Sequence, residues 1–293
     1  MILVSAALFG SYGIWSKAMG KDFGIFFQGW TRSAIVLLLL LPVVVYKKAY
    51  RFDREDLRWV VVSVVFGALT QAPLYYAFNH ATIGTVLVIF YALFVITAYL
   101  VGRLFLGERI TKIKLMSMFL AFAGLALTFG LSLEKFSFLA LGMAALNGVA
   151  SGGEVSTTKR TTSKYSSLMI TFYIWLGIFI THLPLSLVTH EKQWPLAWDK
   201  DWGAMLAFAL AGLVAFWLVI EGFKFVDASI GSLLGLTEVI FGMIYGAIIF
   251  NEGITLTVAS GAALIILAAM LPDLMNIIQN KRIRISTEPM REM

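Results

Sequence analysis

Long runs of apolar residues separated by short polar connections fill almost the whole chain. A transmembrane helix needs about 20 mostly apolar residues, and ten stretches approach or reach that length. They cover residues 2–15, 25–46, 60–78, 84–101, 115–131, 138–158, 166–188, 203–223, 230–250 and 256–275. A helix satisfies its backbone hydrogen bonds within one segment, as a lipid environment requires. The pattern therefore predicts an all-α membrane protein with ten transmembrane helices.

The composition excludes the main alternatives to a membrane protein. Of the 293 residues, 59% are hydrophobic and only 14% are charged, whereas a soluble domain has about 25% charged residues. The chain has no cysteine, which excludes a disulfide scaffold. No phosphate-binding loop, HExxH motif or nucleophile elbow is present, and the three histidines are not at ligand spacing. We therefore predict no enzyme active site, no cofactor and no metal site.

The distribution of basic residues predicts the orientation. With the N-terminus inside, 17 of the 23 Lys and Arg residues lie in inside segments, five lie outside, and Arg32 lies within a span. Because cytoplasmic loops carry the excess of Lys and Arg, both termini are predicted to be cytoplasmic in a multi-pass protein of the plasma or inner membrane. The net charge of +6 is thus assigned to these loops and not to nucleic-acid binding. The first span lacks a basic segment and a cleavage site, which does not favour a signal peptide. It is either a short helix or one that begins upstream.

The two halves of the chain resemble each other at an offset of 142 to 147 residues. The matches are Lys17 with Lys159, Leu41-Pro42 with Leu183-Pro184, Asp56-x-x-Trp59 with Asp199-x-x-Trp202, Ala81-x-Ile83-Gly84 with Ala228-x-Ile230-Gly231, and Glu108-x-Ile110-Thr111 with Glu252-x-Ile254-Thr255. Each half has five spans, an odd number, so the second is predicted to be inverted relative to the first. Inverted repeats are typical of secondary transporters. The predicted division is 1–132, 133–276 and a polar cytoplasmic tail at 277–293.

Several of these motifs resemble the EamA-type branch of the drug/metabolite transporter superfamily. The stretches that carry the resemblance are LGERIT at 106–111, FNEGIT at 250–255, GFKFVDA at 222–228, TEVI at 237–240 and an arginine, Arg32, early in the second span. The proline that the family often has after the glutamate in the ninth helix is replaced by Val239. The resemblance implies ten helices in two halves and transport of a small metabolite. It leaves the substrate open, because the family moves amino acids, drugs and nucleotide sugars.

Glu238 is the strongest candidate for a functional residue within a span. Burial disfavours the charged form of a carboxyl group, so Glu238 is a candidate proton or cation site, or alternatively a structural carboxyl bonded to a neighbouring helix. Small residues allow close helix packing in membranes. A face of small residues on the same helix comprises Gly231, Gly235, Gly242 and Gly246.

Further candidates form polar and aromatic stripes. Asn147, Ser151 and Glu154 share one face of the sixth span, and Tyr12 lies on the equivalent face of the first. Other residues that could line a substrate path are Arg32, Gln71, Tyr75 and Trp15. Arg32 could bind a carboxylate with its planar group of donors or hold a structural acid. Ser and Thr could equally connect helices, and Trp and Tyr could mark the membrane interface.

Four other ionisable residues have simpler interpretations. Glu221 is expected to form a local ion pair with Lys224, and His182 to occupy a satisfied core position. Glu108 and Glu252 precede helix starts, where capping explains them.

The sequence thus predicts a secondary active transporter that exports an amino acid or a related amphipathic compound by alternating access. The expected partners are a small-molecule substrate, the lipid bilayer and protons. A proton-coupled transporter of an organic cation or amine, an intramembrane lipid enzyme and an assembly subunit remain alternatives, and the oligomeric state stays open.

Overall fold

The computed structural model describes residues 1–12, 14–15, 23–47, 51–81, 83–130, 137–193, 200–251 and 253–287, with the side chains at 78–79, 83–84, 200, 273 and 276–287 excepted. The regular elements of these ranges are α-helices. They are α1 Ile2–Gly10, α2 Ile25–Tyr46, α3 Arg54–Ala68, α4 Ala72–His80, α5 Ile83–Phe105, α6 Lys112–Phe129, α7 Phe138–Thr161, α8 Ser167–Val188, α9 Lys200–Phe223, α10 Ala228–Gly235, α11 Thr237–Phe250 and α12 Leu256–Thr287.

Eight helical segments of the described part are long and apolar enough to cross a membrane. They are Ile25–Tyr46, Arg54–Ala77, Thr85–Phe105, Lys112–Phe129, Phe138–Thr161, Ser167–Val188, Asp201–Phe223 and Ala228–Phe250. They correspond to the second to ninth predicted spans. The first predicted span contains the nine-residue α1, and the apolar part of α12 is the shorter Leu256–Pro272. The prediction of an all-α membrane protein is confirmed.

Two of the spanning segments are interrupted, contrary to the continuous helices predicted at 60–78 and 230–250. The first interruption, at 69–71, separates α3 from α4, and Pro73 follows it in the first turn of α4. Proline has no amide proton and is favoured in a first helical turn. The Nδ2 atom of Asn147 donates to the carbonyl oxygen of Thr70, within the break. The second interruption is the single residue Leu236, between α10 and α11.

Several predicted boundaries are also wrong at the helix ends. The third span begins at Arg54 and not at residue 60, because the charged first turn of α3 continues the helix outside the apolar run. The last helix extends to Thr287, so most of the tail predicted at 277–293 continues α12. Hydrophobicity marks the lipid-compatible part of a helix, whereas the helix itself ends where its backbone hydrogen bonds end.

The helices pack in a pattern that relates the two halves of the chain. The main contacts pair α2 with α8, α6 with α12, α5 with α7, α1 with α11, α3 with α7, α1 with α9, α3 with α8 and α2 with α9. Small residues allow the closest approaches. A Cβ atom placed on Gly124 of α6 would lie 2.7 Å from the carbonyl oxygen of Gly261 on α12. Cβ atoms on Gly148 and Gly152 of α7 would overlap the carbonyl oxygens of Phe90 and Phe94 on α5.

The outer surface carries large exposed hydrophobic side chains. Leu38 on α2 is 71% exposed and Phe138 on α7 is 85% exposed. An apolar surface of this extent is unfavourable in water and typical of a lipid-facing surface. Several polar and charged side chains, among them Arg32, Asn147 and Glu154, are instead buried between the helices.

Candidate functional site

Arg32 lies two turns into α2 and is surrounded by aromatic rings. Its side chain is buried, with 3% of the residue exposed. The guanidinium carbon Cζ is 4.1 Å from the ring centre of Phe208, 5.3 Å from Trp175 and 5.5 Å from Tyr12. We call Tyr12, Arg32, Trp175 and Phe208 the Arg32 cluster. Its members come from α2, α8, α9 and the residues that follow α1, so both halves of the chain contribute.

The aromatic side chains of the cluster position one another. The Tyr12 ring meets the Phe208 ring edge-on, with ring centres 4.5 Å apart. Gly212, one turn after Phe208, leaves the space that the tyrosine hydroxyl needs. A Cβ atom on Gly212 would lie 2.8 Å from the hydroxyl oxygen of Tyr12 and 3.5 Å from the Trp175 ring.

Polar atoms of the cluster are buried without hydrogen-bond partners among the described residues. These atoms are Nε and Nη1 of Arg32 and Nε1 of Trp175. Cation–π contacts with desolvated rings contribute about 2 kcal/mol, whereas removing a charged group from water costs several kcal/mol. The rings therefore stabilise the guanidinium only in part.

Two carboxyl groups lie on the helices next to the cluster. The side chains of Glu154, Glu238 and Tyr75 are close enough to Tyr12 to interact with it electrostatically. Glu154 on α7 is 3% exposed and packs against Gly67 of α3, and its Oε1 atom has no hydrogen-bond partner in the described part of the chain. Glu238, at the start of α11, lies near the hydroxyl group of Tyr91 on α5 and interacts with it. The structure thus brings Tyr12, Arg32, Tyr75, Glu154 and Glu238 into one region.

Other predicted pathway residues lie in different surroundings. Asn147 is fully buried and bonded to the break between α3 and α4, where Gln71 is the residue before α4. Gln71 is the N-cap of the helix that contains Tyr75, and its carbonyl oxygen accepts a hydrogen bond of 3.2 Å from the nitrogen of Tyr75, so the two residues lie one helical turn apart. Ser151 is half-buried on α7. Trp15 donates from Nε1 to the hydroxyl oxygen of Ser11, 3.0 Å away.

The predicted glycine face of α11 lies against α1 at one point. A Cβ atom on Gly10 would lie 2.9 Å from the carbonyl oxygen of Glu238 and 2.9 Å from the nitrogen of Gly242. A Cβ atom on Gly242 would lie 3.6 Å from the carbonyl oxygen of Gly10. The contact brings the backbone at Glu238 close to α1, the helix that precedes Tyr12.

The remaining glycines of this face have separate neighbours. Gly231 faces the Phe223 ring at 2.7 Å and Gly235 faces the Phe94 ring at 3.5 Å, both measured from a built Cβ atom. Gly246 is buried in α11.

A second group of charges connects the halves at one end of the bundle. We call Glu108, Lys114, Lys159 and Asp227 the charge network. The Nζ atom of Lys159 is 2.9 Å from Oε1 of Glu108 and 3.8 Å from Oδ1 of Asp227, and Nζ of Lys114 is 2.6 Å from Oδ2 of Asp227. Glu108 and Lys114 are 8% and 7% exposed.

Glu108 caps a helix in the other half of the chain. Its Oε1 atom accepts a hydrogen bond of 2.6 Å from the backbone nitrogen of Ala228, the first residue of α10. Free amide groups at a helix start favour a nearby carboxylate. The helix that follows Glu108 is capped by Thr111, which accepts from the nitrogen of Lys114 at 3.2 Å. The capping role expected for Glu108 is therefore found across the halves, while Glu252 lies outside the described residues.

The simpler interpretations of the other ionisable residues have mixed outcomes. The ion pair of Glu221 and Lys224 is present at 2.8 Å. His182 is buried and bonded through Nδ1 to the carbonyl oxygen of Ile178 at 3.0 Å, but its Nε2 atom has no partner among the described residues. Its core position is satisfied at one nitrogen only. No group of three His, Asp or Glu residues in the described ranges is arranged to hold a metal ion.

Sequence reasoning missed several residues of these sites. Phe208 and Gly212 lie four residues apart on α9, a spacing that places them on one helix face, yet neither has a chemical signature. Asp227 directly precedes a helix, and an N-cap search would have identified it. The position of Tyr91 near Glu238 depends on how α5 meets α11, which no local sequence pattern predicts.

Comparisons with known proteins agree with this architecture. A model of the EamA-like transporter family matches residues 1–130 and 138–271. A probable transport protein of Saccharomyces cerevisiae is 22% identical over 239 residues, which are 71% of this chain and 65% of the yeast protein. The chain thus spans about two thirds of that relative's length. A solved crystal structure superposes with a TM-score of 0.76 at 16% identity, covering 94% of this chain and 96% of the other, and shows the same fold.

Proposed function

Because the chain belongs to the EamA-like transporter family, we propose that it is a secondary transporter that moves a small metabolite by alternating access. The substrate class is an amino acid or a related amphipathic compound, and the proposed direction is export. The observation that carries this proposal is the meeting of Arg32, Tyr12, Glu154 and Glu238 from both halves in one region. Polar and ionisable side chains within membrane-spanning segments are energetically unfavourable, and they often mark substrate or ion paths in membrane proteins.

The proposal includes ten spans in two inverted halves, 1–132 and 133–276. The packing pattern supports it. In the proposed repeat, α1, α3 and α5 of the first half are equivalent to α7, α9 and α11 of the second. The contact of α5 with α7 then corresponds to the contact of α11 with α1, and the contact of α3 with α7 corresponds to the contact of α9 with α1. The equivalent helices α2 and α8, and likewise α6 and α12, pack on each other, as elements on a two-fold axis do. The family model also matches each half separately.

Two inverted halves can exchange conformations, and alternating access follows from that exchange. We assign the charge network to the cytoplasmic end, because the basic residues of the predicted inside loops surround it. In this arrangement Lys159 connects Glu108 of the first half with Asp227 of the second, and it closes the path on the cytoplasmic side. Opening this side requires Lys159 to leave at least one of these carboxylates.

Counterflow in proteoliposomes tests this proposal. Vesicles that contain the purified protein are loaded with an unlabelled amino acid and diluted into a trace of the labelled one. A carrier transiently accumulates label with saturable kinetics, because inward and outward movements share one site. Flux that neither saturates nor responds to internal substrate contradicts alternating access, as does a rate equal to that of protein-free vesicles.

A second candidate is proton-coupled transport of an organic cation or amine. The observation that favours it is the pair of carboxyl groups, Glu154 and Glu238, both in electrostatic range of Tyr12. The same vesicles distinguish the two candidates when choline and simple amines replace the amino acid. Counterflow of amines alone supports the second candidate.

A further inference from the structure

The inference concerns the chemical group that Arg32 binds, and it rests on the proposed transport function. Arg32 is nine-tenths or more buried, and none of the ion pairs in the described part of the chain includes it. Its Nε and Nη1 atoms have no acceptor among those residues. A buried charge without an opposite charge or hydrogen bonds is unfavourable. The guanidinium group of Arg32 is therefore a buried cation that binding of an anion would stabilise.

The aromatic neighbours do not meet this requirement. The rings of Phe208, Trp175 and Tyr12 lie within 5.5 Å of the guanidinium carbon, and such contacts stabilise the charge without accepting its in-plane hydrogen bonds. The N–H groups of Nε and Nη1 therefore remain available to a ligand. Trp175 adds a further buried donor, its Nε1 atom, for which the described residues provide no acceptor.

The acidic residues of the same region do not form ion pairs with Arg32. Glu154 and Glu238 interact with Tyr12 electrostatically, but among the described residues neither forms an ion pair with Arg32. Glu238 lies near the hydroxyl group of Tyr91, and Oε1 of Glu154 has no hydrogen-bond partner among the described residues. The guanidinium group and the two carboxyl groups therefore share the surroundings of Tyr12 without an ion pair between them.

We propose that Arg32 binds the carboxylate of the transported compound, with Trp175 as a second donor. A guanidinium group suits this role because its planar donors match the geometry of a carboxylate. Glu154 and Glu238, in electrostatic range of Tyr12, are then available to an ammonium group of the same compound. A zwitterion interacts with Arg32 and with these acids, whereas a simple monocarboxylate interacts only with Arg32. The substrate is an organic acid of one of these two kinds, and a purely cationic amine is disfavoured by repulsion from Arg32.

Three compounds with one branched side chain test this proposal in the unmodified protein. L-Leucine carries a carboxylate and an ammonium group, 4-methylpentanoate carries only the carboxylate, and 3-methylbutylamine carries only the ammonium group. Their dissociation constants are measured by thermal shift of the purified protein. Tighter binding of L-leucine or 4-methylpentanoate than of the amine supports the carboxylate site, and the order of the two acids separates a zwitterion from a monocarboxylate. Tightest binding of the amine, or binding of none of the three, overturns it.

The variants Arg32→Gln and Arg32→Lys locate the site. Removal of one partner of a buried charge pair weakens binding by about thirtyfold or more, and we expect this loss for the acids in Arg32→Gln, with part of the affinity restored in Arg32→Lys. Arg58→Gln is the matched control, because Arg58 is exposed at the start of α3. Unchanged acid affinity in Arg32→Gln contradicts the proposal. If the acids bind but show no counterflow, the carboxylate site is supported and the transport function is contradicted. If only amines show counterflow, transport is supported and the carboxylate site is contradicted.

Discussion

At the scale of single residues, the site depends on buried polar groups that the core leaves unsatisfied. Nε and Nη1 of Arg32 and Oε1 of Glu154 lack partners among the described residues, while Glu238 lies near the hydroxyl group of Tyr91. A protein selected for stability alone would pair these groups or replace them with apolar residues. Their retention next to the aromatic residues of the Arg32 cluster is what a binding site for a charged compound requires.

Glu238 carries the prediction about coupling. Glutamine keeps the shape of the protonated carboxyl group and can bond to Tyr91, so Glu238→Gln should fold and exchange substrate at a normal rate. It should lose accumulation driven by a pH gradient, because it cannot release a proton. Uptake into proteoliposomes with and without an imposed gradient measures both properties.

The matched control is Glu221→Gln, which alters a carboxyl group in the local pair with Lys224. Gradient-driven accumulation should persist in this variant. Equal accumulation by Glu238→Gln and the wild-type protein would assign a structural role to Glu238. The coupling role would then pass to Glu154.

At the same scale, the sequence identified the polar residues but not their surroundings. Arg32, Glu154 and Glu238 attract notice because charges are rare within apolar spans. Phe208 does not, since the chain has 23 phenylalanines and only helix packing selects which of them meets Arg32. The pairing of Lys114 with Asp227 joins residues 113 positions apart, and no local pattern reports such a distance.

At the scale of helices, close backbone contacts set the geometry around Glu238. Gly10 of α1 meets α11 so closely that a Cβ atom would lie 2.9 Å from backbone atoms of Glu238 and Gly242. Backbone cannot shift as a flexible side chain does, so the helices must separate when Gly10 is enlarged. The contact explains why α1 forms part of the site although it has only nine residues.

We therefore predict that Gly10→Ala destabilises the protein by about 1–3 kcal/mol, the usual cost of overpacking. Gly242→Leu should have a similar effect, because its longer side chain cannot fit against α1. Gly142→Ala is the control, since a Cβ atom there meets nothing within 4 Å. Phe241→Leu should also be mild. Thermal unfolding in detergent measures all four variants, and equal melting temperatures would contradict the packing claim.

The helix breaks show a limit of hydrophobic patterns. The interruption at 69–71 lies inside an apolar run, where periodicity gives no warning beyond Pro73. The break at Leu236 occurs although the proline of related sequences is replaced by Val239. There Val239 bonds back to Leu236 with a three-residue spacing, at 3.1 Å, so the backbone tightens without a proline. Sequence patterns predicted which segments are helical, but not where the helical backbone hydrogen bonds are interrupted.

At the scale of the whole molecule, the distribution of Lys and Arg predicts the orientation in the membrane. Lys164 lies at one end of α8 and is 2.8 Å from Asp56 at the start of α3. Lys192 lies beyond the other end of this 22-residue helix, about 33 Å away. The two ends of α8 are therefore on opposite sides of the bilayer.

We predict that a cysteine at Lys192 reacts with an impermeant maleimide in intact cells, whereas a cysteine at Glu55 reacts only after permeabilisation. Both residues are exposed, and the absence of native cysteine keeps the background low. Detection is by the mass shift of the labelled protein on a gel. The reverse labelling pattern would place the charge network on the outside and contradict the proposed orientation.

Alternating access makes one demand on the molecule as a whole: the closed end must open during each cycle. The charge network holds the end of α5 against the start of α10. A Cβ atom on Gly102 would lie 3.6 Å from the Cβ atom of Ala228, which fits the Cβ separation of about 3.5–4.5 Å in disulfides. The built atom is also 2.6 Å from Oε2 of Glu108, so the single variants Gly102→Cys and Ala228→Cys serve as controls for that crowding.

Counterflow by the double variant Gly102→Cys/Ala228→Cys, measured in one preparation before and after oxidation, tests alternating access most directly. The reduced protein should transport like the single variants. The oxidised protein should lose counterflow, because the disulfide keeps α5 and α10 together, and a reductant should restore it. Equal counterflow by the reduced protein and by a fully cross-linked protein, verified by mass, would contradict the account.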